Sequence, residues 1–108
     1  MKFDINEVIA EMVVAVKGAV GENWNEVLPV TNQFLQNRKE RLELLAELRI
    51  SGDISHKRFE SRLNDEKLVA EAEFHAIAVI SKVIAQKAAN AAIEVLENAV
   101  KTAINLAK

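Results

Sequence analysis

The sequence predicts an all-α protein, and three observations support that prediction. The chain has 108 residues, half of them hydrophobic, but only one proline and three glycines. Apolar residues recur with helical spacing in three long segments, and residues that commonly cap helices stand at the segment ends. Together these features favour a few long helices over many short strands. We therefore expect helices over about 4–20, 23–50 and 55–107, within a single domain that spans residues 1–108.

The first predicted helix begins with a capping box. The carboxylate of Asp4 can accept a hydrogen bond from the backbone amide of Glu7, and the Glu7 side chain can reach back. The apolar residues that follow keep helical spacing: Ile5, Val8, Ile9, Met12, Val13, Val16 and Val20. Many of these residues are β-branched, which lowers helix propensity, so the assignment depends on the cap.

The second predicted helix follows Gly21, which can either end the first helix or leave a mild kink in it. Asn23 is the predicted N-cap, and Pro29 lies near the helix start or at a bend. The predicted core residues are Trp24, Val27, Leu28, Phe34, Leu35, Leu42, Leu45 and Leu48. Arg38 stands where a core residue is expected. We expect its apolar stem to lie on the core with its charged head in water.

The sequence ISGDISHKRF, residues 50–59, separates the second and third helices. Gly52 is a predicted left-handed C-cap, and Ser55 is the N-cap of the next helix. Ile54 and Phe59 stand at the two positions of a hydrophobic staple. This stretch is therefore interpreted as a connection between two helices.

The third predicted helix has no glycine or proline from Ser55 to Lys108. Its polar residues from Ser81 onward form one narrow stripe: Lys82, Gln86, Asn90, Glu94, Glu97, Lys101, Asn105 and Lys108. So thin a polar face indicates a helix that is buried on most of its circumference. A single helix of this length would measure about 75–80 Å, so it fits a compact domain only if it breaks.

Two arrangements of these helices remain open. If Gly21 only kinks the chain, an elongated helical hairpin forms, and residues whose numbers sum to about 106 lie opposite each other. Gly18 and Gly21 would then pack closely against Ala85, Ala88 and Ala89. If Gly21 reverses the chain, a lopsided three-helix bundle forms instead.

Both arrangements leave apolar surface uncovered, because two helices cover each other on only one stripe apiece. We therefore predict a homo-oligomer, most simply an antiparallel dimer that forms a four-helix bundle. The predicted interface residues share the apolar side of the third helix: Ile77, Ile80, Ile84, Ala88, Ala92, Val95, Leu96 and Val100.

The residue types argue against an enzyme, a cofactor or a metal site. The chain has no cysteine, which excludes disulfides, thiolate catalysis and cysteine-ligated zinc. The residue three before His75 is Ala72, so the Glu-x-x-His motif of carboxylate metal bundles is absent. Residues 47–58 have the glycine of a calcium-binding EF-hand loop, but Arg49 and Arg58 stand where calcium needs oxygen ligands.

A basic patch beside the predicted turn is the candidate surface for a protein partner. Three of its residues lie in the first turn of the third helix, where the helix dipole disfavours positive charge. The patch comprises His56, Lys57, Arg58 and Arg62. Acidic residues interleave with it, and the hairpin register predicts surface ion pairs of Glu43 with Arg62 and of Glu47 with Arg58 or Lys57.

The function predicted from these features is a non-enzymatic, self-associating helical module with a structural or protein-interaction role. The formal net charge of −2 gives no field that would favour nucleic acid. The acidic N-terminal segment is unlike a signal peptide, so we expect a cytoplasmic protein. The alternative is a membrane-active or lipid-binding helical protein, because MVVAVKGAV and AIAVISKVIAQKAANAAI are apolar and rich in small residues.

Overall fold

The computed structural model describes residues 3–78 and 80–107, with the backbone alone at residue 107. Within these ranges there is no strand, which confirms the all-α prediction. The elements are α1 (Ile5–Val20), a short 3₁₀ turn (Gly21–Asn23), α2 (Trp24–Ile50), α3 (His56–Ile77) and α4 (Lys82–Ala107).

These helices form a compact four-helix bundle rather than an elongated hairpin. The described residues extend 42 × 23 × 20 Å. Helices α1 and α2 laid end to end would measure about 70 Å, so the chain must reverse between them. Helices α1 and α3 each pack against both α2 and α4. The largest side chains of the shared core are fully buried: Phe34, Phe74, Met12, Leu35, Leu42 and Leu96.

The N-cap predicted for α1 is confirmed. The Asp4 carboxylate accepts hydrogen bonds from the backbone amides of Asn6 at 2.9 Å and Glu7 at 3.4 Å. The predicted apolar face points into the core, with Val13 half-buried and the remaining six residues buried. The helix ends at Gly21, which adopts a positive φ of 55° and donates its backbone N–H to the carbonyl of Lys17.

Of the two alternatives left open at Gly21, the structure shows the one in which Gly21 ends the first helix, and the predicted N-cap role of Asn23 is wrong. A Cβ atom added at Gly18 or Gly21 would meet no heavy atom within 4 Å, so neither glycine packs closely against Ala85, Ala88 or Ala89. Gly21 is instead suited to its backbone conformation, which L side chains rarely adopt. Asn23 makes no N-cap hydrogen bond for α2. Its Nδ2 atom donates to the carbonyl of Val20 at 3.3 Å and so closes the end of α1.

The single third helix predicted over 55–107 is wrong, because the chain breaks between Ile77 and Lys82. Two side-chain hydrogen bonds hold this break: His75 Nδ1 lies 2.9 Å from the carbonyl oxygen of Ile80, and the Ser81 hydroxyl accepts from the amide of Ile84 at 3.2 Å. The break lets α4 fold back and pack on both α3 and α1. No proline or glycine stands there, so tertiary packing rather than local sequence sets its position.

The connection between α2 and α3 is as predicted. Gly52 has a φ of 87°, and its amide donates to the carbonyl of Arg49 at 3.2 Å. The Asp53 amide donates to the carbonyl of Leu48 at 2.9 Å, which completes a Schellman motif. The Ser55 hydroxyl accepts from the backbone amide at residue 58 at 3.1 Å. Phe59 is buried at the position expected for the staple.

Candidate functional site

The four residues of the predicted partner patch lie together at the start of α3, and all four are exposed. His56 contacts Glu60 one turn further on, with Nε2 and Oε1 3.4 Å apart. Among the described residues, the predicted ion pairs of Glu43 and Glu47 do not form. Arg62 instead lines a groove between α2 and α3.

An ionic cluster around the buried Glu66 contributes Arg41 and Glu66 to the lining of this groove. Glu66 of α3 is only 6% exposed, and its carboxylate lies between two arginines of α2. Arg38 Nε is 3.3 Å from Oε2, and Arg41 Nε is 3.1 Å from Oε1. The Arg38 guanidinium also lies 5.8 Å from the ring centroid of Phe34. The expectation that the Arg38 head lies in water is therefore wrong, because it pairs with Glu66.

Sequence reasoning missed Glu66, although one signal could have identified it. The hairpin register places residue 66 opposite residue 40, and Arg38 and Arg41 stand on either side of that position. The two nearby guanidinium groups offset part of the desolvation of the buried Glu66 carboxylate, although its Oε2 atom forms no hydrogen bond among the described residues.

The α2–α3 groove has an apolar floor and charged rims, and its volume is about 470 Å³. Its lining residues come from two helices: Glu40, Arg41, Leu44, Leu45 and Leu48 from α2, and Arg62, Asp65 and Glu66 from α3. Leu44 is 58% exposed and is one of the largest apolar side chains left open to solvent. The register places Arg62 beside Leu44, and places Asp65 near Glu40 one turn away.

Most of the predicted oligomer interface lies inside the chain's own core. The buried residues of that set are Ile80, Ala88, Ala92, Leu96 and Val100. Ile84 and Val95 are half-buried, while Ile77 is 54% exposed. Helices α1 and α3 thus cover most of the apolar stripe on α4. The prediction of self-association assumed that this stripe is exposed in the single chain, and that assumption is wrong for the buried residues. Self-association itself stays a prediction.

A second polar site lies between α3 and α4, where Glu60, Glu94 and Glu97 line one groove. Hydrogen bonding to Glu60, burial and repulsion from Glu60 and Glu94 raise the pKa of Glu97, against the opposing effect of Lys101. Within residues 3–78 and 80–107, no group of three histidine, cysteine or acidic residues is placed to hold a metal ion.

None of the described helices combines the length and the apolar character that crossing a membrane requires. The membrane-active or lipid-binding alternative stays a prediction. Comparison with known proteins adds no functional assignment. No family model matches this chain, and neither the curated proteins nor the solved structures include a significant match to it.

Proposed function

We propose that the chain is a non-enzymatic protein-interaction module that binds an amphipathic helix of a partner protein in the α2–α3 groove. The observation that carries this proposal is the exposure of Leu44 on an apolar floor between two packed helices. A groove between two helices fits a third helix, as in helix bundles and in helix-in-groove recognition.

The rim charges define the chemistry of the partner. In the hairpin register Arg62 lies beside Leu44, while Glu40 and Asp65 line the groove next to the ion pair of Arg41 with Glu66. A complementary helix carries apolar residues at helical spacing over Leu44, an acidic residue facing Arg62 and a basic residue facing Glu40 and Asp65. Rim charges of this kind select partners and orientation more than they add affinity.

Photo-crosslinking in the source cells tests the proposal. A photoreactive amino acid replaces Leu44, and in a matched control it replaces Leu68, which lies on α3 outside the groove lining and is 53% exposed. We expect a specific adduct at position 44 that is missing at position 68. The captured partner is then purified, and its crosslinked segment is synthesised as a peptide.

The peptide's affinity decides the outcome by fluorescence anisotropy. Leu44→Glu should weaken binding by at least about tenfold, since it places a charge on the apolar contact. Leu68→Glu should leave the affinity unchanged. Equal binding to both variants, a peptide that stays non-helical when bound, or no adduct specific to position 44 would each overturn the proposal.

A further inference from the structure

The two halves of the bundle share one register, which is the register of a straight hairpin. Between α2 and α3, Arg41 pairs with Glu66. Between α1 and α4, the groove near the bundle end is lined by Glu11 and Val95 and, further along, by Asp4 and Thr102. The numbers 41 and 66 sum to 107, and the α1–α4 groove combines residues 3–11 with residues 95–106, which is compatible with the same register. The bundle is therefore a long hairpin folded in two, with α1–α4 and α2–α3 as its halves.

Straightening the chain would preserve the packing within each half. Within the described residues, the two long arms of a straight hairpin are interrupted at two places, residues 21–23 and the break between Ile77 and Lys82. The packing of α1 on α2 and of α3 on α4 would be lost in a straight monomer. A second straight copy, placed antiparallel, can supply both of these lost contacts with the same residues.

We propose that this protein forms a domain-swapped dimer, in which both bends straighten and two hairpins exchange their α1–α2 and α3–α4 contacts. This inference goes beyond the proposed function and leaves the α2–α3 groove intact in each chain. The swapped dimer has the same helix-to-helix contacts as the monomer, so the two forms differ mainly at the bends and in association entropy.

The bends contain little that would prevent straightening. Ala78, Ile80 and Ser81 all accept a helical backbone, and a straight helix would supply main-chain hydrogen bonds there. The bent form depends on the contact of His75 with the Ile80 carbonyl and on the Ser81 cap. At the other bend, Gly21 can adopt helical as well as left-handed conformations. Short connections of this kind favour exchange between copies.

Crosslinking across α3 and α4 distinguishes the two forms. Gln86 Nε2 lies 3.3 Å from Glu71 Oε1, and the chain has no cysteine of its own. Cysteines are introduced as Glu71→Cys with Gln86→Cys, and the protein is refolded at high concentration before treatment with a short bismaleimide. The monomer joins these positions within one chain, whereas the swapped dimer joins them between two chains.

The matched control is Leu44→Cys with Arg62→Cys, because both positions line the α2–α3 groove. This pair lies within one chain in both forms, so it should give only monomers on a denaturing gel. We expect covalent dimers from the α3–α4 pair in the dimer fraction isolated by gel filtration. A dimer fraction that gives only intrachain α3–α4 crosslinks, or a protein without any dimer fraction, would overturn the proposal.

Variants at the bends should shift the equilibrium in opposite directions. His75→Ala removes a hydrogen bond that only the bent form makes, and both chains of a dimer gain from its removal. We expect the dimerisation constant to rise by at least about tenfold. Inserting three glycines after Ala78 should lower the dimer fraction, because a longer flexible connection lets the chain close on itself. Unchanged dimer fractions in both folded variants would contradict the assigned bends.

Discussion

The Nε atom of Arg41 on α2 lies 3.1 Å from the Oε1 atom of Glu66 on α3. The two partners differ in environment, because the Glu66 side chain is 7% exposed and that of Arg41 is 67% exposed. Removal of the glutamate therefore leaves arginines that can turn into water. Removal of the arginines leaves the Glu66 carboxylate buried, without a charged partner and unable to turn into water.

We expect Arg38→Met with Arg41→Met to lower the free energy of unfolding by about 3 kcal/mol or more, as for other uncompensated buried charges. Methionine keeps an apolar stem of similar length, which limits the loss of packing. Glu66→Met should lower the same quantity by only about 1–2 kcal/mol. Urea unfolding of the three proteins measures the difference, and a larger loss in the glutamate variant would contradict this account of the cluster.

Two glycines with equally open surroundings should respond to alanine in opposite ways. A Cβ atom at Gly52 or Gly18 would meet nothing within 4 Å, but only Gly52 has a positive φ, of 87°. Gly52→Ala should destabilise the protein by about 1–2 kcal/mol. Gly18→Ala, inside α1, should stabilise it by about 0.5–1 kcal/mol. Thermal and urea unfolding measure the stability change of each variant. If both substitutions stabilise or both destabilise the protein, the φ angle is not the deciding factor.

The stability of the α3–α4 bend should depend on whether the side chain of residue 75 can donate a hydrogen bond to the Ile80 carbonyl. His75→Asn places an amide N–H near the position of Nδ1 and can keep the bond to the Ile80 carbonyl. His75→Ala removes that bond and should cost about 0.5–1.5 kcal/mol of monomer stability. Urea unfolding at low protein concentration keeps the chain monomeric. If the asparagine variant loses as much stability as the alanine variant, the hydrogen bond is not what holds the bend.

Glu97 should make the native state less stable as pH rises. The pKa of Glu97 is raised in the folded protein by hydrogen bonding to Glu60, burial and the neighbouring carboxylates. Between the ordinary glutamate pKa and this raised pKa, the native state binds more protons than the unfolded state does. The contribution of Glu97 to stability is therefore lost as pH rises through that window.

Glu97→Gln should remove this dependence and should raise the stability at neutral pH relative to the parent protein. Urea unfolding from acidic to neutral pH measures the difference between the two proteins. Glu26→Gln, at an exposed position in the first turn of α2, serves as the charge-matched control. If the free energies of unfolding of Glu97→Gln and the parent protein differ by the same amount at every pH, Glu97 is not the source of the pH dependence.

The local features of the fold were predictable from the sequence because each has a local cause. Asp4 caps α1 with its own carboxylate, and Gly52 takes a conformation that few other residues adopt. The hairpin register was predictable too, since the turn at 51–55 fixes which residues of α2 and α3 meet. Each of these predictions requires only the residue spacing and the chemistry of a few side chains.

The break before Lys82 was not predictable in the same way. Ala78, Ile80 and Ser81 are compatible with a continuous helix, and the contacts that favour the bend form only when α4 folds back: the packing of α4 on α1 and α3 and the contact of His75 with the Ile80 carbonyl. The candidate groove between α2 and α3 was not predictable from the sequence either. Helical spacing correctly places Leu45, and not Leu44, in the core, but the groove that Leu44 lines depends on how α2 and α3 pack.

The packing of the first helix on the last has a consequence for synthesis on the ribosome. Met12 and Val16 are fully buried in the finished protein, and α4 is one of the two helices that cover α1. At about 5–20 residues per second, roughly 4–16 s pass between translation of α1 and of the partner segment on α4. During that interval the apolar face of α1 is incompletely covered, and we expect it to be the segment that a nascent-chain chaperone binds.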